Sequence, residues 1–163
     1  MVTSQAGSGL VDALQAKTIE LEEALTGVTE EEASRPLDGD WTIRHVLSHL
    51  LGVEGSTLVG RLSRFIDEDM PAIDVNVDDP SYSEARRRMS YAQLLDAVRT
   101  QYADMASFLG GRTQEQLDRR ARLPEYFKDT PLTETPTLAL WSMGLIQFHL
   151  AGHIAQIREH RSQ

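Results

Sequence analysis

Residues 138–158 read LALWSMGLIQFHLAGHIAQIR, and this run decides the fold. Leu138, Trp141, Leu145 and Phe148 recur at three- and four-residue steps, the period of a helix with one apolar face. Ahead of them, Thr135-Pro136 pairs an N-cap residue with proline at the first helical position. Behind them, Arg158, His160 and Arg161 suit the negative end of a helix dipole. The pattern predicts a helix from Thr135 to about His160. At ~100° per residue, His149, His153 and Gln156 fall on the apolar face, with Ser142 and Gly152 beside them. Polar side chains in mid-stripe are informative, because burying one unpaired costs about 1–3 kcal/mol. Gly152 would let another group approach the pair closely.

The same period appears upstream. Leu10, Leu14, Leu21 and Leu25 mark a first helix that stops at Gly27. Thr29 with Glu32 forms a capping box for a short helix closed by Pro36, and Leu37-Asp38-Gly39-Asp40 reads as a turn. Thr42 is the N-cap of a second long helix, with Ile43, Val46, Leu47, Leu50, Val53 and Leu58 on its apolar side and an end near Phe65. Residues 67–80 read as a loop, in which Val75 and Val77 alternate too briefly for a strand. Ser90 with Gln93 opens a third long helix that Gly110-Gly111 stops, and Thr113 with Gln116 opens another short one. Residues 122–135 form a second loop. Four long helices with short extra ones in the connections predict an all-α four-helix bundle, one domain spanning 1–163.

Composition agrees with that size. The chain has 163 residues, of which 40% are hydrophobic, enough for a core. A net charge of −9 argues against nucleic acid as a partner. Arg86-Arg87-Arg88 and Arg119-Arg120 are short basic clusters flanked by acids and read as solvated helix faces. The absence of cysteine excludes disulfides, a thiolate nucleophile and zinc–thiolate sites. The N-terminus lacks the basic start and apolar run of a signal peptide. No stretch approaches the ~18 consecutive apolar residues of a membrane span. A cytoplasmic protein with no membrane partner is expected.

Four of the five histidines form two HxxxH pairs, His45/His49 and His149/His153. Residues four apart share a helix face, so two imidazoles at this spacing can reach one metal ion, and a third from a facing helix completes a set. His49 lies at the edge of its apolar stripe and His45 further toward solvent. His160 reads as a C-terminal charge. Glu54 falls near mid-stripe, where it could be a ligand, a general base or the partner of a buried arginine such as Arg61. Trp41 and Trp141 read as core or helix-entry packing. From the residues alone two readings stay open for the inward histidines: hydrogen-bonded core groups or metal ligands. A zincin is excluded, because Leu150-Ala151-Gly152 between the two histidines omits the glutamate of HExxH.

Trp41-Thr42-Ile43-Arg44-His45-Val46-Leu47-Ser48-His49-Leu50 resembles the start of helix two in the DinB/YfiT-like superfamily. Phe148-His149-Leu150-Ala151-Gly152-His153-Ile154-Ala155-Gln156-Ile157-Arg158 resembles that family's helix-four signature of two histidines followed by a glutamine–isoleucine step. The resemblance spans nearly the whole chain. It implies an up-down-down-up bundle and a three-histidine metal site made by His49, His149 and His153, with His45 left out. It also implies a homodimer.

Three neutral imidazoles leave positions open for water or substrate, the arrangement of a catalytic site. Nitrogen ligands suit a divalent ion such as zinc or nickel. Gln156, Ser142 and Glu54 are candidates to orient the rings. Characterised relatives implied by the resemblance include S-transferases and isomerases that use low-molecular-weight thiols. The expectation is thus a metal-dependent enzyme acting on a small molecule, first of all a thiol-dependent S-transferase with Glu54 as candidate catalytic residue. The alternatives are a metal-dependent hydrolase and a non-catalytic metal-binding or stress-response bundle.

Overall fold

The computed structural model describes residues 4–37, 39–75 and 78–162. Asp38 of the expected 37–40 turn and Val77 of the Val75/Val77 alternation lie outside them. The described residues form helices α1 (Gln5–Ala24), α2 (Glu30–Ala33), α3 (Ile43–Leu51), α4 (Leu58–Asp67), α5 (Glu84–Arg88), α6 (Tyr91–Gly110) and α7 (Gln114–Leu117). A 3-10 turn (Glu125–Phe127) follows, then one long C-terminal helix, α8 (Leu138–Arg161). No strand occurs among the described residues, only isolated bridges.

Starts follow local chemistry. Ser4, Thr29, Thr42, Thr57, Ser83, Ser90 and Thr113 each accept a backbone N–H through the side-chain hydroxyl, which satisfies one of the orphan donors at a helix N-terminus. Helix α1 packs along α6 and α8, while α6 also receives α3 and α4. The seam between them is dry: Leu14, Leu47, Leu62, Phe65, Leu94, Met105 and Ile146 are fully buried. This is the four-helix arrangement expected, with its second member in two pieces.

That division is the first departure. Helix two stops at Leu51 and restarts at Leu58. Gly52 adopts φ +74° and Gly55 φ +83°, a left-handed backbone that ends α3. At Gly52 an added Cβ would also lie 2.9 Å from the Arg61 guanidinium, which would have to move aside. The apolar pattern continues across 52–57 because α4 buries Leu58, Leu62 and Phe65 against the same core.

The second departure is at the start of α8. Its N-cap is Thr137, not Thr135. Residues 134–137 run extended beside 119–123: the Leu123 amide donates to the Glu134 carbonyl (2.7 Å) and the Leu138 amide to the Arg119 carbonyl (2.8 Å). Pairing with that segment outweighs the local helix signal of Thr135-Pro136.

Within α8, residues Leu145–Leu150 form a π segment. The wider turn alters the phase of the helix, so a uniform 100° projection fails beyond it. Leu138 and Trp141 are buried as projected, but Phe148 is 62% exposed. By length and composition α8 is apolar enough to cross a membrane, although it holds no run of ~18 consecutive apolar residues and His149 and His153 interrupt it. In this fold it packs on α1.

Two arginines are buried, against the reading of 86–88 as a solvated face. Arg86 Nη1 lies within hydrogen-bonding range of the Ser48 carbonyl (2.9 Å), the Ser81 carbonyl (3.0 Å), the Ser48 hydroxyl (3.2 Å) and the Gly52 carbonyl. It thus satisfies orphan carbonyls at the end of α3. Arg44 donates to Tyr82 Oη (2.8 Å), to the Arg87 (3.1 Å) and Met89 carbonyls, and to Glu30, whose second oxygen accepts the Tyr91 amide (2.7 Å). Removing Arg44 strands these acceptors. Arg44→Met is expected to cost about 2–3 kcal/mol in urea unfolding, while Arg35→Met, which breaks the exposed Arg35–Glu31 pair, should leave the midpoint unchanged. Equal midpoints for the two variants would show that the Arg44 network contributes nothing.

Candidate metal centre

His49 projects from the last turn of α3 and is 7% exposed. Its Nδ1–H donates to the Asp79 carbonyl (2.8 Å), which leaves Nε2 as a bare lone pair. His153 Nδ1 lies 3.0 Å from Gln156 Oε1, one turn ahead on α8, and the same tautomer follows. His149, from the π segment, places its Nε2 2.8 Å from His49 Nε2. One nitrogen from each ring lies within 4.8 Å of the other two. The rings are tilted against one another by 60°, 64° and 89°, so their edges face a common point and their faces do not stack. Trp41 lies parallel to His153 (5°, centroids 6.2 Å apart) and edge-on to His49, which limits rotation of both.

The donor set fits a metal ion. Tetrahedral coordination with ~2.0–2.1 Å bonds separates ligand nitrogens by about 3.3 Å, between the 2.8 Å of the closest pair and the 4.8 Å limit for all three. The 2.8 Å contact between the Nε2 atoms is closed either by the Nε2–H tautomer of neutral His149, which donates to His49, or by a cation between the rings. A second proton on His149 is disfavoured. Burial pushes the His149 imidazole down to about 3, helped by His153, His49 and the Arg61 cation. Burial lowers His153 as well, against the opposing hydrogen bond from Gln156. Neutral imidazoles are the form a metal requires.

The cluster opens onto a cavity of about 370 Å³, a size suited to a small molecule. Phe127, Leu132, Trp141 and Leu145 give it apolar walls, and Arg61 and Tyr102 also line it. Exposed Val53 and Phe148 stand at its rim.

The structure therefore brings together His49, His149 and His153 and leaves the other candidates out. His45 is half-buried, not solvated: its Nδ1 accepts the Thr42 amide (3.1 Å) as a helix cap, and its ring packs on Tyr82. His160 is not in the cluster. Glu54 sits exposed in the 52–57 break and does not line the cavity, because the projection that put it in mid-stripe assumed an unbroken helix. Its field acts on Arg86, not on Arg61. Of the ring-orienting candidates, Gln156 holds His153, while the buried Ser142 hydroxyl has no hydrogen-bond partner among the described residues. Gly152 faces open space and admits no close neighbour. Two contributors escaped the sequence reading. The Asp79 carbonyl is a backbone group with no residue signal. The place of Arg61 in the cavity was signalled by its spacing, three residues after Leu58 and beside Leu62.

No curated protein matches the chain. A solved structure that it resembles is YfiT from Bacillus subtilis, described as a probable metal-dependent hydrolase with an unusual four-helix bundle topology. The TM-score is 0.75 over 98% of this chain and 88% of that one, at 22% identity, which establishes a shared fold. The profile of the DinB superfamily matches residues 13–157, a span that includes every helix from α2 to α7, most of α1 and α8, and all three clustered histidines. The chain belongs to the DinB superfamily.

Proposed function

We propose that this protein is a metal-dependent hydrolase acting on a small molecule, with one divalent ion, zinc or nickel, held by His49, His149 and His153. The observation that carries the reading is the convergence of three imidazole nitrogens on the wall of a cavity with room for a substrate. A divalent ion at that point supplies Lewis acidity, which polarises a substrate oxygen and acidifies bound water. The protein's share is positional. The Asp79 carbonyl and Gln156 fix the tautomers of His49 and His153, and Trp41 holds both rings. The apolar walls keep bulk water away from the reacting bond. Carboxylates that line the cavity are Asp74 and Asp79, and Glu54 has no place in this scheme. The relative of the same fold is described as a probable metal-dependent hydrolase, which supports hydrolysis over the thiol transfer implied by resemblance.

Purified protein should carry about one divalent ion per chain by elemental analysis, and His149→Ala should carry almost none. Gln156→Ala should weaken metal affinity about 10–100-fold by freeing the His153 ring. The loaded protein should hydrolyse activated esters without added thiol. If a chlorodinitrobenzene-type acceptor turns over only with a thiol, and ester hydrolysis is absent, thiol transfer is the correct chemistry. Undiminished metal content in His149→Ala would disprove the site.

The metal-free protein should also show a defined acid sensitivity. His149 is a base whose pKa is depressed in the fold, so the unfolded chain binds its proton more readily. Its contribution is complete above the ordinary imidazole range near 6.5 and is lost progressively as pH falls toward about 3. Thermal melting between pH 7 and 4 should reveal this slope, and His149→Ala should flatten it. Parallel melting curves for the two proteins across that range would contradict the assignment.

A further inference from the structure

Arg61 is a cation that neither the core nor the proposed chemistry uses. It sits in the first turn of α4 and lines the same cavity as the three histidines. Its described side-chain hydrogen bond is to Ser56 Oγ (3.1 Å). Among the described residues it forms no ion pair, and burial together with the like-charged Arg86 works against its charge. Other arginines differ: Arg44 and Arg99 meet carboxylates, while Arg86 and Arg119 meet backbone carbonyls. A guanidinium has five N–H donors, so most of the capacity of Arg61 is uncommitted.

The surroundings are built around that head group. The lack of a side chain at Gly52 makes room for it, since an added Cβ would meet both Nη atoms at 2.9 Å. Tyr102, 5% exposed, lines the cavity beside it, and burial keeps the phenol protonated as a donor. The two carboxylates of the cavity are engaged elsewhere. Asp79 Oδ1 accepts the Ser81 amide (2.7 Å), and the exposed Asp74 acts on Arg64.

We infer that the cavity is an anion-binding subsite as well as a metal centre: the substrate is a small organic anion whose carboxylate, phosphate or sulfonate group is held by Arg61 and Tyr102. The reacting bond then lies against the histidine cluster, and the apolar walls take the body of the molecule. The identity of the reacting end rests on the hydrolase reading above; the anion subsite does not.

The test uses metal-free protein at pH 8 with inorganic phosphate as the probe. In the wild type, the Arg61 Nε–Hε resonance, assigned by its absence from Arg61→Lys, should shift saturably with one phosphate per chain. Arg61→Gln, with folding verified by its melting curve, should bind phosphate about tenfold more weakly. An Arg61 resonance that phosphate leaves in place, or equal phosphate affinity for Arg61→Gln and wild type, overturns the proposal. With the ion restored, a pair of esters differing only in a terminal carboxylate should separate: Arg61→Gln should raise KM for the anionic ester alone. An equal rise for both esters also overturns it. Failure of the metal reading would show differently, as protein that takes up no ion while phosphate still moves Arg61.

Discussion

Arg86 carries a positive charge into the point where α3 ends, and the geometry of the histidine cluster depends on it. The helix terminates in the left-handed turn at Gly52, leaving carbonyls without donors. Arg86 meets the Ser48 and Gly52 carbonyls and, with the same nitrogen, the Ser81 carbonyl. Ser48 Oγ adds a bond to that carbonyl at 2.9 Å. The segment before α5 is thereby strapped onto α3. Its Asp79 carbonyl is then held where the His49 Nδ1–H needs an acceptor. One buried cation thus closes a helix, docks a loop and selects a tautomer.

The opposing wall depends on a different distortion. His149 and His153 are four residues apart, and on a regular helix they would share a face along with the residues projected beside them. The π segment 145–150 adds width to the turn just before His153. It sends Phe148 to the rim of the cavity while His149 points at His49. Such segments recur where a helix must present a functional side chain out of phase. His49 and His149 are separated by 100 residues in sequence, so their meeting depends on how the helices pack and not on any local pattern.

This division explains what the sequence could reveal. The all-α class, the capping residues Thr29, Thr42, Ser90 and Thr113, and the stripes of α1, α6 and α8 follow from short-range rules and were legible. So was the inward placing of His149 and His153, because polar residues in an apolar stripe stand out against the period, whereas His49 joined them only through the family resemblance. Three of the failures share one cause. Glu54, Phe148 and Gly152 were placed by a constant 100° step, which the Gly52 turn and the π segment violate. Thr135-Pro136 was read locally, while its backbone is claimed by residues 119–123. Arg86 looked like one of three surface cations, since nothing in a run of arginines marks which one faces an unfinished helix end. The Asp79 contribution is a carbonyl, which every residue possesses.

The two proposed functions of the cavity would reinforce each other electrostatically. Arg61 opposes protonation of His149, as do the neighbouring imidazoles and burial. A site that repels protons from its nitrogens would also repel a metal cation if the charge stayed uncompensated, since unlike charges are needed to hold an ion in a poorly solvated place. An anion seated on Arg61 would supply the compensation. The cost of holding a guanidinium in a largely apolar cavity without an ion pair among the described residues is then not a defect of the fold. It falls when the anion enters, so part of the binding energy is available only for a ligand that carries negative charge at that end. Selectivity for an anion would follow from a charge left unpaired in the same cavity that the three histidines line.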